Sequence, residues 1–595
     1  MIRHTERKDA LAWERQAAFP ASPSGANAAV ALTAPGLRID NRAELLERLA
    51  LSPHISDEAL LLAAWRQWRE GMADKLRGSF AVAIFDFARQ ELYLARDIFG
   101  LSPLYYSLDQ QRLVAGASSR RVRAIMQGGQ AHDRPFLADF VCGQFTDSRS
   151  TFHSGLHRLP PAHYMLVTAA TAEIQRYWSP GDVPRRESCP DAVEQFRDLF
   201  DRSVARSLEA GRPSLPLSGG IDSSAIAGSL AASGLQLASL PTLTMTYRES
   251  ANWTDAPYLD DLARYFAVQT QEIPCDRHDP LSGMEHWLTV LDGPYVSYGH
   301  SVSSQLLPLS AELGCDTLLS GHGGDEVISY GLGRLNELAR SGRWLELWRE
   351  LEGAAGLFGQ SRTRLFRKYL THKPFFRRVE RKLASLQPAE NAALKPALSK
   401  ELAEEAGPDR YAGRPAVERS EHDERMLHEE ALENPIQPLA LETIGACSRA
   451  SGIETQMPFY DRELVEFSLS LPSEWKLRDG LTRRIMRLAM QGRLPESILR
   501  RRSKFDFSEA FRAGLLESRA KILDLTAPGP DNLGAFIDGT RLNGLRDRLS
   551  RNETKIEMDD AYFLWRVTIL AMWLDIAKHP LESPPMQILQ GPPPQ

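Results

Sequence analysis

The sequence predicts a two-domain α/β protein, and two contrasts along the chain carry that expectation. From residue 1 to about 178, apolar positions alternate over short runs such as LYLARDIFG and HYMLVTAATAEIQRYW, a strand pattern. From about residue 190 onward, short apolar segments (SLPL, TLTMTY, CDTLLSG) alternate with helical or turn signals. Alternation of that second kind builds a parallel sheet whose ligands sit at the carboxyl ends of its strands. The stretch SPGDVPRRESCP at 179–190, rich in proline, glycine and charge, is the expected linker.

Size and composition agree with this division. At 595 residues the chain is too long for one ordinary domain. It is 43% hydrophobic and 25% charged, with a formal net charge of -6. A nucleic-acid-binding surface ordinarily shows as a basic excess, so no nucleic acid partner is expected. The N-terminal stretch MIRHTERKDALAWERQ is charged and lacks the apolar core of a signal peptide. No run approaches the roughly 20 apolar residues of a membrane span. The longest apolar runs, FAVAIF at 80–85 and TILAMWL at 568–574, suit a buried strand and a core helix. Five dispersed cysteines, Cys142, Cys189, Cys275, Cys315 and Cys447, lack CxxC spacing and read as reduced thiols. These features point to a cytoplasmic protein.

Each segment can be placed on this frame. DEALLLAAWRQWREG at 57–71 is an amphipathic helix within the strand-rich half. Beyond about residue 331 the chain is mostly helical and charged. Residues 361–382 carry nine Lys or Arg against one acid, Glu380, with Phe366, Tyr369, Phe375 and Phe376 interleaved. Such a run is ordinarily a solvated helix face, although its aromatics also suit docking of a peptide or partner. The Pro-rich tail at 581–595 is expected to be disordered.

The chemistry concentrates in two glycine turns. In SLPLSGGIDSSAIAGSLAASG (214–234), a strand, a two-glycine turn and a helix follow one another. Gly219 and Gly220 let successive N–H groups face one anion, and the helix adds its positive N-terminal end. The hydroxyls of Ser218, Ser223 and Ser224 can donate further bonds, and Asp222 can hold magnesium. No Gly-Lys pair occurs anywhere, so this is not a Walker-type loop. LLSGHGGDE at 318–326 ends a second strand with another glycine turn and two carboxylates. If the two strands are neighbours, Asp222 and Asp325 converge on one crevice, as Mg2+ bound to a triphosphate requires.

The complete SGGIDSS string resembles the pyrophosphate-binding motif of ATP pyrophosphatases, which cleave ATP to AMP and pyrophosphate while adenylating a substrate. Together with LRGSFAVAIFDFARQELYLARDIFGLSPLYY (76–106), MPFYDRELVEFSLSLP (457–472) and LPESILRRRSKFDF (494–507), it resembles the asparagine synthetase superfamily. The resemblance implies an inactive, Ntn-hydrolase-like αββα glutaminase-type domain over 1–180. It implies an ATP pyrophosphatase (PP-loop, Rossmann-like) synthetase domain over 190–580. ATP and Mg2+ are the implied cofactors, and Met245 and Gly321 would line the adenosine pocket.

Departures from the family pattern narrow the function. Family glutaminases use an N-terminal cysteine as nucleophile; position two here is Ile2, and the first cysteine is Cys142. The amide-binding string, similar to NGEIYN in the family, is eroded to PGLRIDN at 35–41. An adenylated carboxylate then needs an amine already on the substrate. Two superfamily branches supply one, the β-lactam synthetases and the lasso peptide cyclases, which join a peptide's N-terminal amine to an Asp or Glu side chain. His322 occupies the position of the β-lactam branch's tyrosine, and Glu442 aligns with that tyrosine's glutamate partner, which makes them the expected base pair. Lys504 matches a lysine that stabilises the charge developing in the reaction. The lasso branch is favoured because the chain is long and its basic helical insertion suits a peptide or a partner protease. A precursor peptide, a leader peptidase and a leader-binding protein are then the implied partners. A β-lactam-type synthetase and an ammonia-dependent amidotransferase remain the alternatives.

Overall fold

The computed structural model describes residues 3–5, 10–14, 29–109, 112–126, 131–250, 253–276, 278–358, 360–371, 397–407, 410, 421–503, 505–527, 533–553, 555–578 and 586–588. In the N-terminal half, two antiparallel sheets face each other. One runs in the order Ala172–Arg176, His163–Val167, Glu91–Arg96, Ala81–Asp86 and Ala29–Thr33. The other runs His157–Arg158, Tyr105–Leu108, Arg112–Gly116, Ala10–Glu14, Arg3–Thr5 and Met586–Ile588. Phe85, Leu92, Leu94, Leu113 and Met165 fill the space between them. The helix Asp57–Trp68, capped by the Ser56 hydroxyl, lays Leu60, Leu61, Ala64 and Trp65 on the outer face of the first sheet. Ser119–Ile125 covers the second sheet through Val122 and Ile125. The layers are therefore α, β, β, α.

Met586–Ile588 corrects the expectation of a wholly disordered tail. It pairs antiparallel with Arg3–Thr5 and satisfies an edge that would otherwise expose unpaired backbone groups.

The second half is built on a five-stranded sheet with parallel pairings throughout. Its strands are β1 (Pro213–Pro216), β2 (Thr242–Thr246), β3 (Thr270–Pro274), β4 (Thr317–Leu319) and β5 (Glu454–Gln456), in the order β3-β2-β1-β4-β5. The order reverses between β1 and β4, which opens a crevice at their carboxyl ends. Helix α1 (Ile221–Ala232) leaves β1, and the short α2 (Gly324–Ile328) follows β4.

The boundary near residue 180 is one of sequence more than of space. Arg134–Cys142 precedes it, yet Phe136, Leu137, Phe140 and Val141 belong to the same core as Phe563, Leu564, Val567 and Leu570 of the C-terminal helix Met558–Ala577. The linker is also held: Arg425 donates to the Val183 carbonyl (3.0 Å) and the Leu469 carbonyl (2.8 Å), and the Arg186 N–H donates to the Ser470 carbonyl (2.9 Å). Within the basic run, Arg362–Thr371 forms a helix. Leu365 joins Leu338, Leu347 and Leu351 in a small core, and Phe366 packs edge-on to Trp344 and Trp348. Phe366 thus serves helix packing instead of an open docking face; residues 372–382 lie outside the described residues.

The halves are joined by a buried charge cluster, and this overturns the role expected of Glu442. Glu442 lies on α3 (Ile436–Ala450) and is 5% exposed. Its Oε1 accepts from Arg96 at 2.8 Å, and its Oε2 accepts from Arg158 at 2.8 Å and from the Tyr105 hydroxyl at 2.9 Å. Both oxygens are committed to the N-terminal half, so the carboxylate does not polarise His322. Burial alone would raise the Glu442 pKa, but Arg158 and Arg96 outweigh it and hold the group below the usual carboxylate range. A depressed native pKa gives a stabilisation that is present above the unfolded-state value, near 4.3, and lost as pH falls below it. Glu442→Gln leaves two buried guanidiniums without their counter-charge and should cost about 3–5 kcal/mol near neutral pH. Thermal unfolding should show a clearly lower midpoint for the variant at pH 7, and the gap should shrink below about pH 4.

Candidate active site

The two glycine turns meet at the crevice between β1 and β4. After β1 the chain turns through Gly219 at φ +67°, where a side chain would press on Tyr258 and Arg501. Ser218 and Ser223 face each other (Oγ to Oγ 3.1 Å), and the Ser218 N–H donates to the Ser223 hydroxyl at 3.2 Å. Ser218, Gly220, Asp222 and Ser223 line a cavity of about 370 Å³ together with Met245 and Gly321. Ser224, expected among the phosphate ligands, is buried and donates to the Gly220 carbonyl at 2.7 Å. It locks the turn from behind. Gly321 shows why no larger residue stands there: a Cβ would come within 3.0 Å of the Ser223 nitrogen.

This close approach brings the two carboxylates together, on an arginine that sequence reasoning overlooked. Arg483 Nη1 donates to Asp222 Oδ2 at 2.5 Å and to Asp325 Oδ1 at 2.7 Å. The Arg483 side chain is 7% exposed, lies over the Tyr330 ring, and has a left-handed backbone (φ 51°, ψ 40°). Burial pulls its pKa down, but Asp222 and then Asp325 raise it, so the guanidinium stays charged. Non-glycine residues in that backbone region persist only where surrounding structure holds them. Because Asp222 and Asp325 share one cationic nitrogen, the pair is spaced to share one small cation. The donor set, carboxylate oxygens facing a phosphate-sized crevice, suits Mg2+.

Arg501 is a second residue the sequence conceals. In the run Arg500, Arg501, Arg502 it reads as one of several surface basics, yet it is 7% exposed. It donates to the Gly219 carbonyl (3.0 Å), pairs with Asp255 and covers the Tyr258 ring. Arg500 and Arg502 instead pair outward with Glu496 and Glu352. Arg487 also borders the cavity, fixed by the Thr482 and Leu499 carbonyls, and burial pulls its pKa down to about 10. Three guanidiniums and three carboxylates, Asp222, Asp255 and Asp325, thus surround the first glycine turn, and the arginines are the groups that could turn toward an anion there. Lys504 lies outside the described residues.

His322 lies on the turn between β4 and α2, its ring 6.0 Å from that of Tyr460, whose hydroxyl donates to Gln437 Oε1 at 3.2 Å. His322 borders the cavity; Glu442 does not, and lines a separate interdomain cavity of about 210 Å³. Away from the phosphate loop the main cavity is walled by Leu306, Leu307, Leu318 and the aromatics Trp253, Phe505 and Phe507.

The asparagine synthase family model matches residues 195–575, which spans both glycine turns, both carboxylates and all three arginines. The chain belongs to the asparagine synthase family. A glutamine amidotransferase domain model matches residues 38–178, the two-sheet half. Among relatives, asparagine synthetase [glutamine-hydrolyzing] 3 of Bacillus subtilis is 26% identical over 481 residues, 78% of this chain and 72% of its own. Asparagine synthetase [glutamine-hydrolyzing] 1 of the same organism is 23% identical over 503 residues, 78% of this chain and 73% of its own. Amidase chyE of Penicillium rubens is 30% identical over 182 residues, 30% of this chain and 26% of its own. Members of the family are ATP-dependent carbon–nitrogen ligases. Among the described residues, no helix is long and apolar enough to cross a membrane.

Removing Arg483 should take away one cationic partner of the Asp222 and Asp325 pair. Arg483→Ala should lower ATP-dependent AMP release by about 100-fold or more, as loss of a fixed charge at developing phosphate charge does. The same variant should gain more thermal stability from added Mg2+ without nucleotide than the wild type does, because the cation no longer competes with the guanidinium that bridges the two carboxylates. Differential scanning fluorimetry across a Mg2+ titration checks the second effect.

Proposed function

We propose that the protein is an ATP-dependent cyclase of the lasso peptide type, which adenylates an Asp or Glu side-chain carboxylate and closes a macrolactam with the peptide's N-terminal amine. The reading is supported by the meeting of the two glycine turns with Asp222 and Asp325 at one crevice, beside a first domain whose thiol is buried. All five cysteines are buried, and Cys142, the first in the chain, sits in the core with Phe140 and Val141. No exposed thiol is available to attack glutamine, and an amine that the substrate carries is the nucleophile in this reading.

In this mechanism the turn N–H groups and the hydroxyls of Ser218 and Ser223 hold the departing pyrophosphate, with Arg501 fixing the turn. The substrate carboxylate attacks the α-phosphorus, forming an acyl-adenylate and releasing pyrophosphate. Asp222 and Asp325 would hold Mg2+, which when bound neutralises phosphate charge. Arg483, displaced from the carboxylates, is free to turn to the phosphates. The amine then attacks the acyl carbon, the acyl–oxygen bond breaks and AMP leaves, with His322 beside the reacting carbonyl. The aromatic wall of Trp253, Phe505 and Phe507 suits peptide side chains better than a small amino acid. A precursor peptide, with a leader peptidase and a leader-binding protein acting before cyclisation, completes the proposed set of partners.

The test is mass spectrometry of a peptide extract from the source cells incubated with the purified protein and Mg-ATP, with AMP followed in parallel. A peptide that loses one water in step with AMP release, without gaining nitrogen, is the expected outcome. A small amino acid losing water would point to a β-lactam-type synthetase, and a primary amide formed only with added ammonia to an amidotransferase. Asp222→Ala and Asp325→Ala should each abolish turnover, and activity within a few-fold of wild type for either would remove these carboxylates from the reaction.

A further inference from the structure

With Glu442 bound to Arg96 and Arg158, His322 lacks the carboxylate expected to polarise it, and the cavity holds a second imidazole that the sequence motifs do not mark. His300 stands on the short helix Tyr298–Ser303 and lines the same cavity as His322 of the β4 turn. Its main-chain N–H donates to the Ser297 hydroxyl at 3.1 Å and its carbonyl accepts from the Ser304 N–H at 2.8 Å, so the backbone is fixed. Its Nε2 is buried and has no hydrogen-bond partner among the described residues. A buried ring nitrogen without a partner costs stability, and such groups in folded proteins mark a site that a ligand completes.

The placement suits the second half of the reaction. Asp222, Arg483, Arg487 and Arg501, with Asp255, interlock around the phosphate turn, which fixes where the leaving AMP must lie. The attacking nitrogen approaches the acyl carbon from a side that the phosphate does not occupy. His300 lines the cavity with Ser303, Ser304 and His322. Among the charged and titratable groups of the described residues, His322 is the one close enough to act on His300. Burial pushes the His300 pKa down to about 4 and His322 adds to the fall, so the ring is neutral at physiological pH.

We propose that His300 accepts the proton released by the attacking amine: as the nitrogen adds to the acyl carbon of the adenylate, an N–H proton passes to His300 Nε2. The carbon–nitrogen bond forms, the acyl–oxygen bond breaks, and its electron pair leaves with AMP. In the tautomer protonated on Nδ1, Nε2 presents the lone pair that this transfer requires. The assignment rests on the adenylation reading above, and its test separates the two. A proton acceptor for the second step should be dispensable for the first.

The experiment compares wild type with His300→Gln in three assays using the full chain, Mg-ATP and the same peptide extract. These are pyrophosphate–ATP exchange, AMP release with hydroxylamine added, and formation of the peptide that has lost water. Hydroxylamine attacks an acyl-adenylate at neutral pH with little need of a base. The variant should therefore keep exchange and hydroxylamine-driven AMP release within a few-fold of wild type. Formation of the dehydrated peptide should fall by about 100-fold or more, the usual weight of a general base. Because the retained exchange reports a folded adenylation site, the loss would belong to the second step alone. Equal losses in all three assays, or dehydration at the wild-type rate, would overturn the role of His300. Absence of exchange in the wild type would overturn the adenylation reading, and this assignment with it.

Discussion

Everything downstream of the fold depends on one buried carboxylate. Glu442 accepts from Arg96, Arg158 and Tyr105, and Arg96 is itself fully buried and donates also to the Ser102, Leu159 and Gly100 carbonyls. The N-terminal half thereby presents a preorganised pair of guanidiniums to α3 of the synthetase half. An isolated charge at such depth would be strongly unfavourable, and the cluster holds only because both halves contribute to it. A domain without an exposed thiol can therefore still be required, as one wall of the structure that carries the active site.

The pairing at the two glycine turns repeats the same physics at a lower degree of enclosure. Asp222 and Asp325 are paired with Arg483, but their carboxylates are 19% and 27% exposed where that of Glu442 is 7% exposed. Partly open to solvent, the first pair is accessible to a hydrated cation; the enclosed Glu442 is not. Degree of enclosure thus separates a joint from a binding site built of the same residue types.

Much of the catalytic half is legible in the amino-acid sequence. The parallel sheet, the two glycine turns and the convergence of Asp222 with Asp325 follow from strand-turn-helix patterning, because those signals lie within a few consecutive residues. Arg501 is hidden by its neighbours: three adjacent arginines have the same chemistry, and only packing against Gly219 and Tyr258 singles one out. Ser224 reads as a phosphate ligand because its hydroxyl is near the motif, whereas α1 turns it toward the Gly220 carbonyl.

Local patterns in the chain specify the fold class, the family and the two glycine turns that meet at one crevice, since each depends on short turns and on the alternation of strand and helix. Tertiary structure decides which charges meet. Glu442 is expected beside His322 and instead faces Arg96 and Arg158, 346 and 284 residues away in the chain. Arg483 reaches Asp222 across 261 residues, and His300 reaches the cavity from a helix that carries no motif. Pairings at such separations are chosen by burial and by the packing of elements, and no local pattern in the chain encodes them.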